Sequence, residues 1–243
     1  MFQLNAVKMA AGLAGLEVER TIAESSAATI AYFYKAIRDK EQTILICDLG
    51  GCSLSVTVAL GGGGVVEILS TDGGSCLTGD KIDNRVVNHI LMEFKAKEGI
   101  NLSEDEAALK RINKAAEEAK KQLSSTSSAR ISLPFIVGTG EEAKHIKLDF
   151  TRAMLEELIF DLVREIVEII QQALDSAGLS PDNSYGLEKV ILLGGSSRIP
   201  VIQKAIKSLI GKEPMMRNEY VIRGLLFKEQ NCLATKVLRR FCF

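Results

Sequence analysis

Residues 47–60 read CDLGGCSLSVTVAL, and the fold turns on how that stretch is read. The run QTILICDL, Gln42–Leu49, is continuously apolar up to Asp48, which marks a strand buried on both faces. Gly50 and Gly51 make a turn, and SLSVTVAL continues as a second strand. Asp48 stands where the first strand hands over to the turn. An acid beside paired glycines points to phosphate and metal chemistry, because glycine backbone lets N–H groups approach an anion closely. Cys52 and Ser55 occupy positions where such a turn would want a third glycine and a second acid.

Working outward, Gly61–Gly64 is a loose turn and VVEILST a third strand, giving a meander with an acid at its first bend. Upstream, residues 2–16 carry apolar side chains at helical spacing and end at Gly15, a C-terminal cap. EVERTIA (17–23) reads as a short strand, and SSAATIAYFYKA as a helix capped by Ser25 or Ser26. Downstream, helices are expected from about Asp80 to Gly99 and over SEDEAALKRINKAAEEAKKQLSS, with Ser103 and Glu106 as a capping box. SARISLPFIVG and KHIKLDFT read as strands around the turn GTGEE. A long amphipathic helix, interrupted or bent, follows to Gly178. LEKVILLGGSSRIPVIQKAIKSLIG is then strand, glycine turn and helix. Strand meanders alternating with helices predict a mixed α/β fold. The tail from Glu219 to Phe243 is apolar and basic, with no clear terminator.

The chain has 243 residues, 47% hydrophobic and 25% charged, with a net charge of −1. That charge implies no bulk attraction to nucleic acid or to an anionic membrane. No apolar run reaches the roughly 18 residues of a membrane span. The five cysteines are Cys47, Cys52, Cys76, Cys232 and Cys242; none forms a CxxC pair. A disulfide framework or zinc site is not expected, and a reducing compartment fits.

Three glycine turns follow strands: DLGG (48–51), GGSCLTGD (73–80) and LGGSSRIP (193–200). The helix opening at Pro200 adds a positive N-terminal end. Each turn by itself is weak evidence, because glycine-rich turns usually just reverse the chain. Asp48 reads equally as an Asx-turn acid, Glu24 as a helix-entry acid, and Glu117, Lys120 and Lys121 as a solvated helix face. His89 and His145 have no acid or cysteine at ligand spacing and read as structural.

The order of these pieces decides among the alternatives. AGLAGLEVERTIAESSAATIAY, ILICDLGGCSLSVTV, VVEILSTDGGSCLTGDKIDNRVVNHILMEF, INKAAEEAKKQLSST and VILLGGSSRIPVIQKAIKSLIGKEP follow the order of the nucleotide-binding domain of DnaK-type heat-shock chaperones, which the chain resembles from about Phe2 to about Gly224. ISLPFI, KHIKL and GLSP resemble the bacterial and organellar branch. The resemblance implies an actin-like ATPase (ribonuclease H-like) fold. It assigns residues 1–40 to a remnant of the first lobe, 41–224 to the second lobe, and 225–243 to a divergent tail. It also implies a bacterial-type cytoplasm or an organelle matrix, and co-chaperone-type partners.

Residue by residue, the resemblance implies ATP or ADP with Mg²⁺ as cofactor. Asp48 is implied beside the metal and the attacking water, with Glu24 reaching the metal through water. Gly50, Gly51 and Ser53 are implied as a phosphate loop. Glu117, Lys120, Lys121 and Ser124 are implied to flank the adenosine, and Gly194, Gly195, Ser196 and Arg198 to form the adenosine loop, with Arg198 on the purine. The chain departs from the family pattern at Cys52, Ser53 and Ser55, at Gly74, Cys76 and Thr78, and at Asn218 and Arg223. It begins near the end of the family's first lobe, so the first phosphate loop and a catalytic lysine have no counterpart in it. Phosphoryl transfer depends on positioning and charge stabilisation. The expectation is therefore a chaperone nucleotide-binding-domain fragment that binds adenine nucleotide at most and is catalytically impaired, with other protein chains covering its exposed lobe face. The alternatives are an ATPase completed in trans, or a structural subunit without nucleotide.

Overall fold

A computed structural model of the chain describes residues 2–18, 21–35, 40–62, 65–74, 79–138, 142–180 and 184–230. Cys76 and Thr78 of the second glycine turn, most of GTGEE and the tail beyond 230 lie outside the described residues.

The sheet is built around β1 (Gln42–Leu49), the strand expected from its apolar run. It pairs antiparallel with β2 (Leu54–Gly62), which pairs antiparallel with β3 (Val65–Gly74). On its other side β1 runs parallel to β6 (Leu187–Leu193), and β6 is parallel to the short β7 (Met215–Met216). The order is β3-β2-β1-β6-β7, a mixed five-stranded sheet. A second, two-stranded antiparallel sheet pairs β4 (Ser128–Val137) with β5 (Lys144–Thr151).

Helices cover both faces of the large sheet, and the strand pleat sorts the residues between them. Leu45, Cys47 and Leu49 point into the larger core. That core is filled by α3 (Gly79–Glu98), α4 (Glu106–Leu123), α6 (Phe160–Ser176) and α7 (Pro200–Ile210). Ile44 and Ile46 point to the opposite face, where α2 (Glu24–Lys35) and α8 (Glu219–Gln230) pack through Ala28, Tyr32, Phe33, Tyr220 and Val221. These two helices approach closely at Gly224, where a Cβ would stand 1.8 Å from the Ala27 carbonyl oxygen. Asp48 shares the parity of Ile44 and Ile46, so its side chain belongs to the α2 face. α1 (Phe2–Leu13) precedes α2 and leaves Val7, Met9 and Leu13 exposed.

Two local expectations change, and the expected interruption of the long amphipathic segment is borne out. Residues 17–18 and 21–23 of EVERTIA are not in a strand. The segment carries only Val18, Ile22 and Ala23 as apolar residues, and the sheet is bordered by β3 and β7 instead. α4 is capped by Asp105, whose side chain accepts the Ala108 N–H at 2.9 Å. Ser103 lies just before it, its N–H on Asn101 Oδ1, so the Ser103/Glu106 box does not form. The long amphipathic segment is two helices, α5 (Arg152–Leu158) and α6, divided at the buried Ile159, which leaves helical geometry at ψ 10°.

Candidate nucleotide site

α4 shows how sequence pattern becomes a surface. Ala108, Ile112, Ala116, Ala119 and Leu123 are buried at helical spacing. Glu117, Lys120, Lys121 and Ser124 therefore share the adjoining face. That face opens on a cleft of about 620 Å³, whose other walls are the Gly50–Gly51 turn, the start of α3 (Gly79, Asp80, Asp83), Ser125, and Gly195, Ser196, Arg198 and Ile199 after β6. Segments far apart in the chain meet here because β1 and β6 are parallel neighbours ending at the same edge of the sheet.

Nine of the residues singled out from the sequence line this one cleft: Gly50, Gly51, Glu117, Lys120, Lys121, Ser124, Gly195, Ser196 and Arg198. Asp48, Glu24, Ser53 and Gly194 do not. Gly194 supports the turn from behind. Its φ is +81°, and a Cβ on it would stand 2.2 Å from the Leu49 carbonyl oxygen, which leaves room for glycine alone. Its N–H is accepted by Asn218 Oδ1 at 2.9 Å, and Ser197 Oγ donates to its carbonyl at 2.6 Å. Asn218, a departure from the family pattern, thus holds the turn that carries Arg198.

The glycine turns lock to each other. The N–H groups of Gly79 and Asp80 donate to the carbonyls of Gly50 and Gly51, each at 3.1 Å. Gly50 N–H donates to the Ser53 carbonyl at 3.0 Å, which closes the loop after β1. The Cys52 thiol donates to Asp80 Oδ2 at 3.2 Å, and that contact raises the thiol's pKa. A side chain on Gly79 would meet Ser196 Oγ at 2.9 Å, Lys120 Nζ at 3.4 Å and Gly51 Cα at 3.5 Å. Three walls of the cleft converge at this glycine.

The charges are mostly paired. Lys120 Nζ lies 2.6 Å from Asp83 Oδ2 and 3.3 Å from the Gly79 carbonyl oxygen. Burial pushes the Asp83 carboxyl up against the pull of that ammonium. Lys121 and Glu117 pair at 2.5 Å, lowering the Glu117 carboxyl and raising the Lys121 ammonium. Asp83, Gly79, Asp80, Ser125 and Asn218 were not singled out as site residues from the sequence. Asp80 and Asp83, at the first turn of an expected helix after a glycine turn, carried the available signal.

On the α2 face, Asp48 is 9% exposed and hydrogen-bonds the carboxyl of Glu24 at the start of α2. Burial and then the second acid push its pKa up to about 7. Two carboxyls sharing a proton are a place where a cation can replace that proton. Mg²⁺ is commonly held by one or two carboxylates with waters and substrate phosphates completing its shell. Asp48 and Glu24 fit that mode. No group of three or more His, Cys, Asp or Glu that could hold a metal ion occurs among the described residues, so a closed protein cage does not. Among the described residues, no helix is long and apolar enough to cross a membrane.

Compared with known families, the chain matches the family model described as Hsp70 protein over residues 2–221. The match takes in the parallel strands β1, β6 and β7, every wall of the cleft and the Asp48–Glu24 pair. With nearly the whole of its 243 residues matched, and with a mixed α/β architecture of the actin-like ATPase kind, this chain belongs to the Hsp70 family.

Proposed function

We propose that this Hsp70-family nucleotide-binding-domain fragment binds adenine nucleotide through its adenosine moiety and, acting alone, does not turn over ATP efficiently. The observation that carries the reading is the convergence of the α4 face, the Gly195–Arg198 turn and the Gly50–Gly51 turn on one cleft of about 620 Å³. That volume is in the range of small-molecule pockets. Arg198 would stack on the base, the stems of Lys120 and Lys121 would cover it, and Glu117, Ser124 and Ser196 would meet ribose or base edges. Bound Mg²⁺ would neutralise phosphate charge; Asp48 and Glu24 are the residues that would hold it. Impaired turnover is supported by Cys52, Ser53 and Ser55 in the loop and by the helix N–H groups of Gly79 and Asp80 already engaged with carbonyls. Missing charge stabilisation typically costs about 10²-fold per group.

Calorimetry with ADP tests binding, and phosphate release from ATP tests turnover. One-site binding with release at the buffer rate supports the reading. Absence of binding, or release well above buffer, contradicts it. The Asp48–Glu24 pair favours a second reading, in which turnover appears once another polypeptide supplies further phosphate-binding groups; Asp48→Asn would abolish that turnover. The exposed Val7, Met9 and Leu13 of α1 support a role as a subunit, with another protein chain over that helix. The stretches ISLPFI, KHIKL and GLSP support a DnaK-type member of the bacterial and organellar branch, in a bacterial-type cytoplasm or an organelle matrix.

A further inference from the structure

The cleft holds fewer usable cations than its lining suggests. Lys120 and Asp83 pair at 2.6 Å with side chains only 12% and 19% exposed, and the Gly79 carbonyl takes a second contact from the same ammonium. The ammonium lies against the two glycine turns: it and Gly51 Cα would both crowd a side chain on Gly79. Lys121 is taken up by Glu117. Asp80 has no cationic partner among the described residues, and a Cβ on Gly51 would lie 3.8 Å from its Oδ1. The first two N–H groups of α3, which would otherwise face an anion, donate to Gly50 and Gly51. Among the described residues Arg198 is the one lining cation without an acidic partner, and it belongs to the turn after β6. Asp83 also leaves its Oδ1 buried and without a hydrogen-bond partner. An unsatisfied buried carboxylate oxygen is costly, so packing alone does not account for this acid.

We propose that Asp83 is a specificity-determining residue of this cleft: by holding Lys120 it leaves the glycine-turn end without a free cation, so the site recognises a purine nucleoside and gains little from attached phosphates. The inference rests on the adenosine reading above for the nucleoside, and on geometry alone for the charge. Replacing Asp83 by a neutral isostere removes the acid and frees Lys120 beside Gly51. Anion affinity then rises because the interaction takes place in a partly desolvated cleft.

The test titrates adenosine, ADP and pyrophosphate, in metal-free buffer, into the full chain, Asp83→Asn, Lys120→Met and the double variant. In the wild type, adenosine and ADP should bind within about threefold of each other, the ratio expected when paired charges leave phosphate no free cation. Asp83→Asn should gain about tenfold for pyrophosphate, and its ratio of ADP to adenosine affinity should rise about tenfold above that of the wild type. Lys120→Met and the double variant should show no gain, and the double variant removes the unpaired charge that threatens folding of either single one. Pyrophosphate affinity unchanged in Asp83→Asn overturns the inference. So does wild-type ADP binding far tighter than adenosine, a comparison that needs no variant. A pyrophosphate gain with no adenosine binding to any form overturns the adenosine reading and leaves the control of Lys120 by Asp83 standing.

Discussion

The two faces of β1 received different treatment. On one, the strand end leads through Gly50 and Gly51 into a polar cleft whose walls are braced by hydrogen bonds donated by Ser197, Gly79 and Asp80 and by one that Asn218 accepts from Gly194. On the other, the buried Asp48 meets the exposed Glu24, and the two acids repel unless they share a proton. The first region is organised without a ligand. The second holds electrostatic stress that a cation would relieve. The contrast teaches that retention of residue types and retention of chemistry are separate matters. The same glycine turn serves both faces, yet only one is complete as it stands.

The brace behind the cleft gives the largest expected effect. Gly194→Ala forces a Cβ into the Leu49 carbonyl at a left-handed φ, and should cost about 3 kcal/mol. Thermal denaturation should show Tm lower by roughly 6–12 °C; an unchanged Tm would mean the turn is not braced as described.

Next comes the acid pair. The folded-state pKa of Asp48 is raised, so the folded protein holds more protons than the unfolded chain between about pH 4 and pH 7. Its contribution therefore falls as pH rises through that window. Asp48→Asn should be more stable than the wild type by about 2 kcal/mol at pH 8 and equal to it at pH 4. Denaturant titrations at the two pH values decide; a difference independent of pH would break the contrast between the faces.

Smaller still is Asn218→Ala, which removes the acceptor for Gly194 N–H and should weaken ADP binding about fivefold, with stability lowered by about 1 kcal/mol. Calorimetry and melting on the same sample separate the two effects. Least of all is Ser53→Ala. Its carbonyl, not its side chain, closes the loop, and it does not line the cleft. ADP affinity should change by less than about twofold; a larger loss would return Ser53 to the site.

Much of this was readable from residue order. The apolar run of β1 and the 3.6-residue stripe of α4 announce their elements, and the stripe also says which face of α4 is free. Legibility ended where a property depended on distant neighbours. That Asp48 faces α2 follows from strand parity once both cores are in place, whereas Gly50 and Gly51, beyond the end of β1, reach the cleft through the turn that Gly79 and Asp80 hold. Asp83 and Asn218 gain their roles from Lys120 and Gly194, respectively 37 and 24 residues away in the chain. Asp105 displaces Ser103 as the α4 cap because the chain turns at Leu102, where Asp105 N–H finds the Leu102 carbonyl. EVERTIA read as a short strand, but so short a segment does not make one without a neighbouring strand to pair with.

The central claim is that the cleft binds adenosine through Arg198. Titration of ADP into the wild type and Arg198→Ala tests it most directly. Arg198 is exposed and carries no hydrogen bond from its guanidinium among the described residues, so its loss should leave the fold intact. Saturable one-site binding to the wild type is expected, with affinity about tenfold weaker in the variant and equal Tm. Equal ADP affinity in the two proteins, or no binding to the wild type, would contradict it.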